Sequence, residues 1–136
     1  MQNYARKLSS SRQMVLQAAE HLYRFQTDVA ALSSWMKKVF NRMASETETR
    51  NIKEAKSLLE MHEEILSELR VRKEVFLRVH EYGHLLITEG GLPADEVEPK
   101  LQHLEEERKE LEEIWKRQKI RLKESFDIQV SFVVYD

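Results

Sequence analysis

The feature that most constrains the fold is an apolar stripe in the first third of the chain. Its residues are spaced alternately by three and four positions: Val15, Ala18, Leu22, Phe25, Val29, Leu32, Met36, Val39 and Met43. An average spacing of about 3.5 residues keeps one side of a helix against a partner helix along its whole length, as in a coiled coil. Leu8 extends the stripe backwards, so the sequence predicts a first helix over about residues 8–43.

A second helix is predicted over about residues 51–88. It follows the polar stretch SETETRN and ends at the run GGLP, because glycine terminates helices and proline cannot continue one. Its apolar stripe is broad, as expected for a helix with two neighbours. The stripe comprises Ile52, Ala55, Leu58, Leu59, His62, Ile65, Leu66, Leu69, Phe76, Val79, Gly83 and Leu86.

A third helix is predicted over about residues 96–124. Acidic residues near its start suit the positive end of a helix dipole, and Pro99 is tolerated in a first turn. Its stripe comprises Val97, Leu101, Leu104, Leu111, Trp115 and Leu122. Because short connections make neighbouring helices antiparallel, we predict a single all-α domain over residues 1–124, folded as an up-down-up three-helix bundle.

Composition limits the classes of fold and function. Of the 136 residues, 41% are hydrophobic and 34% charged, with three glycines and two prolines, which is too few turn residues for a multi-stranded sheet. The net charge of −2 gives no reason to expect a nucleic-acid partner. The lack of cysteine excludes disulfides and thiolate metal ligands and fits a cytoplasmic location. No apolar run suits a signal peptide or a membrane span.

The C-terminal segment, residues 125–136, allows three interpretations: a strand, continued helix or disorder. Alternating apolar residues indicate a strand, although a single strand without a partner is unstable: these are Phe126, Ile128, Val130, Phe132 and Val134. The favoured alternative is continued helix, because a shift of 108 positions aligns the segment with the first helix in the right phase. Leu22 and Phe25 then correspond to Val130 and Val133, which suggests the start of a following repeat.

Three segments of the chain resemble the spectrin repeat: LYRFQTDVAALSSWM, LLEMHEEILSEL and GHLLITEGGLPADEVEPKLQHL. The resemblance covers about residues 16–124. Its specific features are Asp28 seven residues before Trp35, His62 in the middle of the second helix, and the turn between the second and third helices. It implies a left-handed three-helix coiled coil in tandem arrays, where the third helix runs into the next repeat. Family members serve as spacers, force-bearing rods and docking surfaces, and catalysis by the repeat is not implied.

The sequence departs from the family pattern at one position in the third helix. Many spectrin repeats carry a second tryptophan there, seven residues after the leucine that corresponds to Leu101. Arg108 stands at that position, and Trp115 lies one heptad later. The packing of two tryptophans against each other therefore does not carry over to this chain.

One short motif suggests catalysis. His80-Glu81-Tyr82-Gly83-His84 matches the H-E-x-x-H pattern, in which two histidines on one helix face bind zinc and the glutamate is the general base. A third ligand is not identifiable, although Glu105 could serve, and the stripe places both histidines on the flank of the bundle. His80, Glu81 and His84 are at most candidate metal ligands, and no metal or other cofactor is predicted.

The residues expected to carry function are therefore mainly core residues: Leu22, Phe25, Val29, Leu32, Trp35, Met36, Leu59, His62, Leu69, Phe76, Leu101, Leu104, Leu111 and Trp115. The third helix also ends in a basic run, which is either a solvated face or a patch for anionic lipid or an acidic partner. That run comprises Lys116, Arg117, Lys119, Arg121 and Lys123.

These observations predict a non-catalytic spacer and protein-interaction scaffold in a larger cytoskeletal or signalling protein, with adjacent repeats and other proteins as partners. One alternative is a regulatory helical module that dimerises or binds anionic membrane through the basic end of the third helix. Another is a small zinc hydrolase that uses HEYGH. The sequence leaves monomer and dimer open.

Overall fold

The computed structural model describes the backbone of residues 2–44 and 49–135, and the side chains of residues 17–44 and 49–133. The described chain forms three helices: α1 (Gln2–Met43), α2 (Ile52–Thr88) and α3 (Ala94–Tyr135). The predicted all-α, three-helix fold is confirmed. Leu8, Val15 and Val134 lie outside the described side chains, and Asp136 lies outside the described residues.

Two helices are longer than predicted. α1 begins before residue 8, and α3 begins before residue 96 and continues past residue 124. The apolar stripe marks only the packed part of a helix, and no glycine or proline interrupts residues 2–43 or 100–135. Because α3 starts at Ala94, Pro99 lies inside the helix, beyond its first turn.

Interhelical contacts fix the up-down-up arrangement. Residues further along α1 contact residues earlier in α2, so α1 and α2 are antiparallel. Residues further along α2 likewise contact residues earlier in α3, so α2 and α3 are antiparallel. The contacts join His21 to Tyr82, Arg42 to Glu68, Ser33 to Glu107, His62 to Trp115 and His80 to Glu105. All three helices pack against one another.

The core follows the predicted stripes. Among the residues expected to be structural, those with buried side chains are Phe25, Leu32, Met36, His62, Phe76, Leu101, Leu104, Leu111 and Trp115. The others are half-buried: Leu22, Val29, Trp35, Leu59 and Leu69. Of these, Val29, Trp35 and Leu69 pack against the core. Burial of this apolar surface provides the main favourable free energy of folding.

Local interactions define both ends of α2. The side chain of Asn51 caps the N-terminus by accepting a hydrogen bond of 2.9 Å from the backbone N–H of Glu54. At the other end, the backbone N–H of Leu92 donates to the carbonyl of Leu86 at 3.1 Å. Gly91 adopts a φ of 69°, a left-handed conformation that glycine reaches without a steric penalty. The chain can therefore reverse direction and enter α3.

The C-terminal segment is helical to Tyr135, so the strand interpretation is wrong. Two contacts tie this part of α3 to the start of α2: Gln129 Nε2 donates to the Thr49 carbonyl at 2.8 Å, and the Thr49 and Ser125 hydroxyls lie 2.6 Å apart. Continued helix satisfies the backbone within one segment, which an unpartnered strand cannot do.

Candidate functional site

The HEYGH motif lies in α2 and contributes to helix packing. The Tyr82 hydroxyl lies 2.7 Å from His21 Nδ1 on α1. Gly83 is buried where the three helices meet, and a Cβ at this position would lie 2.8 Å from Leu101 Cδ1 and 3.0 Å from Phe25 Cε2. A residue without a side chain therefore allows α1 and α3 to approach α2 closely.

The candidate metal ligands of this motif do not form a metal-binding group. His80 Nε2 is buried and lies 3.5 Å from Glu105 Oε2, without a hydrogen-bond partner among the described residues. Glu81 and His84 are exposed. Within residues 17–44 and 49–133, no cluster of three or more His, Cys, Asp or Glu side chains is arranged to hold a metal ion.

Arg108 occupies the helix position where many spectrin repeats carry a second tryptophan. Its guanidinium donates to Glu105 at 2.6 and 3.3 Å and to Glu112 at 3.2 Å, and it lies 5.8 Å from the centre of the Phe76 ring. The hydrogen bond from Arg108 lowers the pKa of Glu105, against the opposing effect of burial. The ion pairs of Arg108 therefore lie within α3, and its contact with the Phe76 ring joins α3 to α2.

His62 and Trp115 connect α2 to α3 by a reciprocal pair of hydrogen bonds. His62 Nε2 donates to the Trp115 carbonyl at 2.7 Å, and Trp115 Nε1 donates to the His62 carbonyl at 2.8 Å. Their rings stack with centroids 4.6 Å apart and planes 11° apart. Burial lowers the pKa of His62, although the bond to the Trp115 carbonyl opposes this shift. The sequence placed both residues in the core but gave no sign of the pairing.

Trp35, expected in the core, lies at its edge. The indole is half-buried, and the Arg72 guanidinium lies 5.1 Å from the ring centre. Trp35 lies one residue before the stripe residue Met36, so its indole points towards α2 at the edge of the core and is partly exposed to solvent. Trp35 therefore covers the core from outside and stacks with a cation there.

The five basic residues near the end of α3 do not share one surface. Lys116 lines a groove between α2 and α3, whereas Arg117 and Arg121 line a groove between α1 and α3. Lys119 forms an ion pair with Glu63 and lies 5.1 Å from the centre of the Trp115 ring. Because successive helical residues point about 100° apart, the run KRQKIRLK cannot present all its cations to one flat partner.

In the described part of the chain, no helix has an apolar stretch long enough to cross a bilayer. A family profile described as the spectrin repeat matches residues 20–124. The chain is 28% identical to the spectrin beta chain of Drosophila melanogaster over 128 residues, which cover 91% of this chain and 6% of the relative. It is 28% identical to the erythrocytic spectrin beta chain of Mus musculus over 100 residues, covering 74% of this chain and 5% of the relative.

A third relative is the erythrocytic spectrin alpha chain 1 of Mus musculus, 24% identical over 123 residues, which cover 90% of this chain and 5% of the relative. The chain thus spans about a twentieth of the length of these relatives. The family profile covers most of the chain and coincides with the three packed helices. This chain therefore belongs to the spectrin-repeat family.

Proposed function

We propose that this chain is a non-catalytic spacer and protein-interaction module of a larger cytoskeletal or signalling protein in the cytoplasm. The observation that carries the proposal is that α1 and α3 project beyond the bundle at opposite ends. Phe25 and Leu101 both approach Gly83 and so lie at one level. By this register, the first residue of α3 lies level with about residue 18 of α1, and the part of α1 before that residue projects beyond the end of α3.

At the opposite end, α3 projects beyond α2. His62 lies level with Trp115, so about ten residues of α3 extend past the start of α2. Three apolar side chains on this extension are largely exposed: Ile128 at 55%, Phe132 at 61% and Val133 at 65%. Ile128 and Phe132 lie one turn apart on the same helix face, and exposed apolar surface of this kind is common at protein contacts. We propose that a neighbouring repeat covers it and that α3 continues into that repeat.

Sedimentation velocity over about a hundredfold range of protein concentration tests this proposal. The spacer proposal expects one elongated monomeric species throughout, because the projecting end needs a different repeat as its partner. A dimer that strengthens with concentration would contradict it.

The second candidate function is regulated dimerisation, which the same exposed side chains favour. The double variant Ile128→Glu with Phe132→Glu distinguishes the two functions. If the end of α3 mediates dimerisation, the wild-type dimer should dissociate in this variant. As a control, the exposed pair Tyr23→Glu with Val71→Glu, which lies outside the projecting end, should leave the dimer intact.

A further inference from the structure

The groove between α2 and α3 combines an apolar floor with a basic rim. Its volume is about 240 Å³. The floor is formed by Leu66, Leu69, Phe76 and Trp115, and the rim includes Arg70, Lys73 and Lys116. Leu66 and Leu69 are half-buried, so part of their surface remains available to a partner.

The rim of the groove is positively charged. Among the described residues, no carboxylate lies within ion-pair distance of Arg70, Lys73 or Lys116. The remaining charged residues of the groove, Arg108 and Glu112, pair with each other at 3.2 Å. The groove therefore presents three exposed cations around an apolar centre.

Two exposed apolar side chains lie one helical turn beyond cations of the rim. Leu77 is 54% exposed and lies one helical turn from Lys73, while Ile120 is 59% exposed and lies one turn from Lys116. Because α2 and α3 are antiparallel, Leu77 and Ile120 lie towards opposite ends of the groove along the axis of the bundle. The α2 side, from Leu66 to Leu77, is about 17 Å long at 1.5 Å per residue, which corresponds to three helical turns.

We propose that this groove binds an amphipathic helix of a partner protein, with an apolar stripe that packs on Leu66 and Leu69 and with acidic residues on both flanks. The groove has cations on both of its helices: Arg70 and Lys73 on α2, and Lys116 on α3. A partner helix bound between α2 and α3 would therefore have positive charge on either side. A helix of three to four turns matches the length of the groove. This inference rests on the proposed protein-interaction function and names the kind of partner, whereas the spacer role needs no partner at this face.

The groove on the other side of α3 lacks this complementarity to one partner. It joins Phe40 and Ile114 to Arg117 and Arg121 at one end, and to Glu110 and other residues at the other end. Its charge therefore changes from basic at the arginine end to mixed at the other end, where Lys37 and two glutamates line it. Its two arginines nevertheless provide a matched control, because their reversal changes the net charge of the protein as much as reversal of two rim cations.

The test uses a fluorescein-labelled synthetic peptide of about 18 residues, with leucines at helical spacing and glutamates on both flanks. A scrambled peptide of the same composition, in which the leucines do not share a face, is the first control. Fluorescence anisotropy measures the Kd for the wild-type protein, for Lys73→Glu with Lys116→Glu, and for Arg117→Glu with Arg121→Glu. Circular dichroism confirms that each variant is folded.

We expect saturable binding of the amphipathic peptide, weaker by about tenfold or more in the Lys73/Lys116 variant and by less than about threefold in the Arg117/Arg121 variant. Lack of saturable binding, or equal binding of the scrambled peptide, would overturn the proposal. Equal loss in both variants would also overturn it, because net charge alone would then explain the attraction.

Vesicles of phosphatidylserine and phosphatidylcholine added to the complex should not displace the peptide. Displacement by vesicles would assign the basic rim to an anionic membrane surface and would overturn the peptide proposal. Loss of peptide binding in a variant that remains an elongated monomer would leave the spacer role intact. The two proposals can therefore fail independently.

Discussion

At the scale of single residues, His62 contributes a neutral imidazole to the contact between α2 and α3. Its Nε2 donates to a backbone carbonyl, and its ring stacks on Trp115, so the neutral form satisfies the buried site. A protonated ring would place a positive charge in this site, and desolvation opposes that. The histidine therefore makes the stability of the bundle depend on pH.

We predict that His62 destabilises the fold as the pH falls below about 6.5. Its pKa is near 6.5 in the unfolded chain and lower in the folded state, so the unfolded state binds more protons below that value. The free energy of unfolding, from urea titrations at pH 7.5 and 5.5, should decrease more in the wild type than in His62→Gln. Glutamine can still donate to the Trp115 carbonyl but does not titrate.

Other titrating groups are the same in both proteins, so the comparison isolates His62. The lowered pKa values of Glu63 and Glu105 act only at more acidic pH, where these carboxylates become protonated. Parallel loss of stability in the two proteins would contradict the prediction.

The histidines of HEYGH lead to a prediction about zinc. Glu105, the one carboxylate within ion-pair distance of His80 among the described residues, is already held by Arg108. Zinc binding would require Glu105 to break its ion pair with Arg108. It would also place the zinc ion close to the positively charged guanidinium of Arg108. Isothermal titration with zinc at neutral pH should therefore reveal no submicromolar site. A tight one-to-one isotherm that His80→Ala abolishes would refute this.

At the scale of secondary-structure elements, Gly83 sets the spacing of the three helices. We predict that Gly83→Ala destabilises the fold by about 1 kcal/mol, because strain of roughly 1–3 kcal/mol from overpacking exceeds the gain of about 1 kcal/mol in helix propensity. Gly83→Val should destabilise it further, since a branched side chain needs more room beside Phe25 and Leu101. Urea unfolding measures both. If Gly83→Ala were more stable than wild type, the helices would have room to separate here.

The sequence predicted the helices and their order because each helix carries its own apolar stripe. It did not predict the pairing of His62 with Trp115, since spacing within each helix does not determine how far one helix is shifted along another. It also did not predict the full lengths of α1 and α3, because an apolar stripe does not mark where a helix begins or ends. Helical geometry alone could have predicted that Lys116 and Arg117 face different grooves, because adjacent residues point about 100° apart.

At the scale of the whole molecule, the stagger of the helices determines its length. α1 and α3 each contain 42 residues, which is about 63 Å of helix. They run in the same direction and are offset, so α3 continues about 24 Å beyond the level of the end of α1. The distance from Gln2 to Tyr135 is therefore about 86 Å, well above the length of either helix.

We predict that small-angle X-ray scattering of the monomer gives a maximum dimension near 90 Å, the helical span plus side chains. The dimension depends on α3 remaining helical beyond Gln129, whose side chain donates to the Thr49 carbonyl. Gln129→Pro should break α3 before this contact and reduce the maximum dimension. Ser131→Ala, at an exposed position, keeps the helix intact and should leave the maximum dimension unchanged. A maximum dimension near 65 Å for the wild type would mean that the projecting helix ends do not persist in solution. The spacer proposal would then lose its main support, because a bundle without rigid ends cannot transmit its direction to a neighbouring repeat.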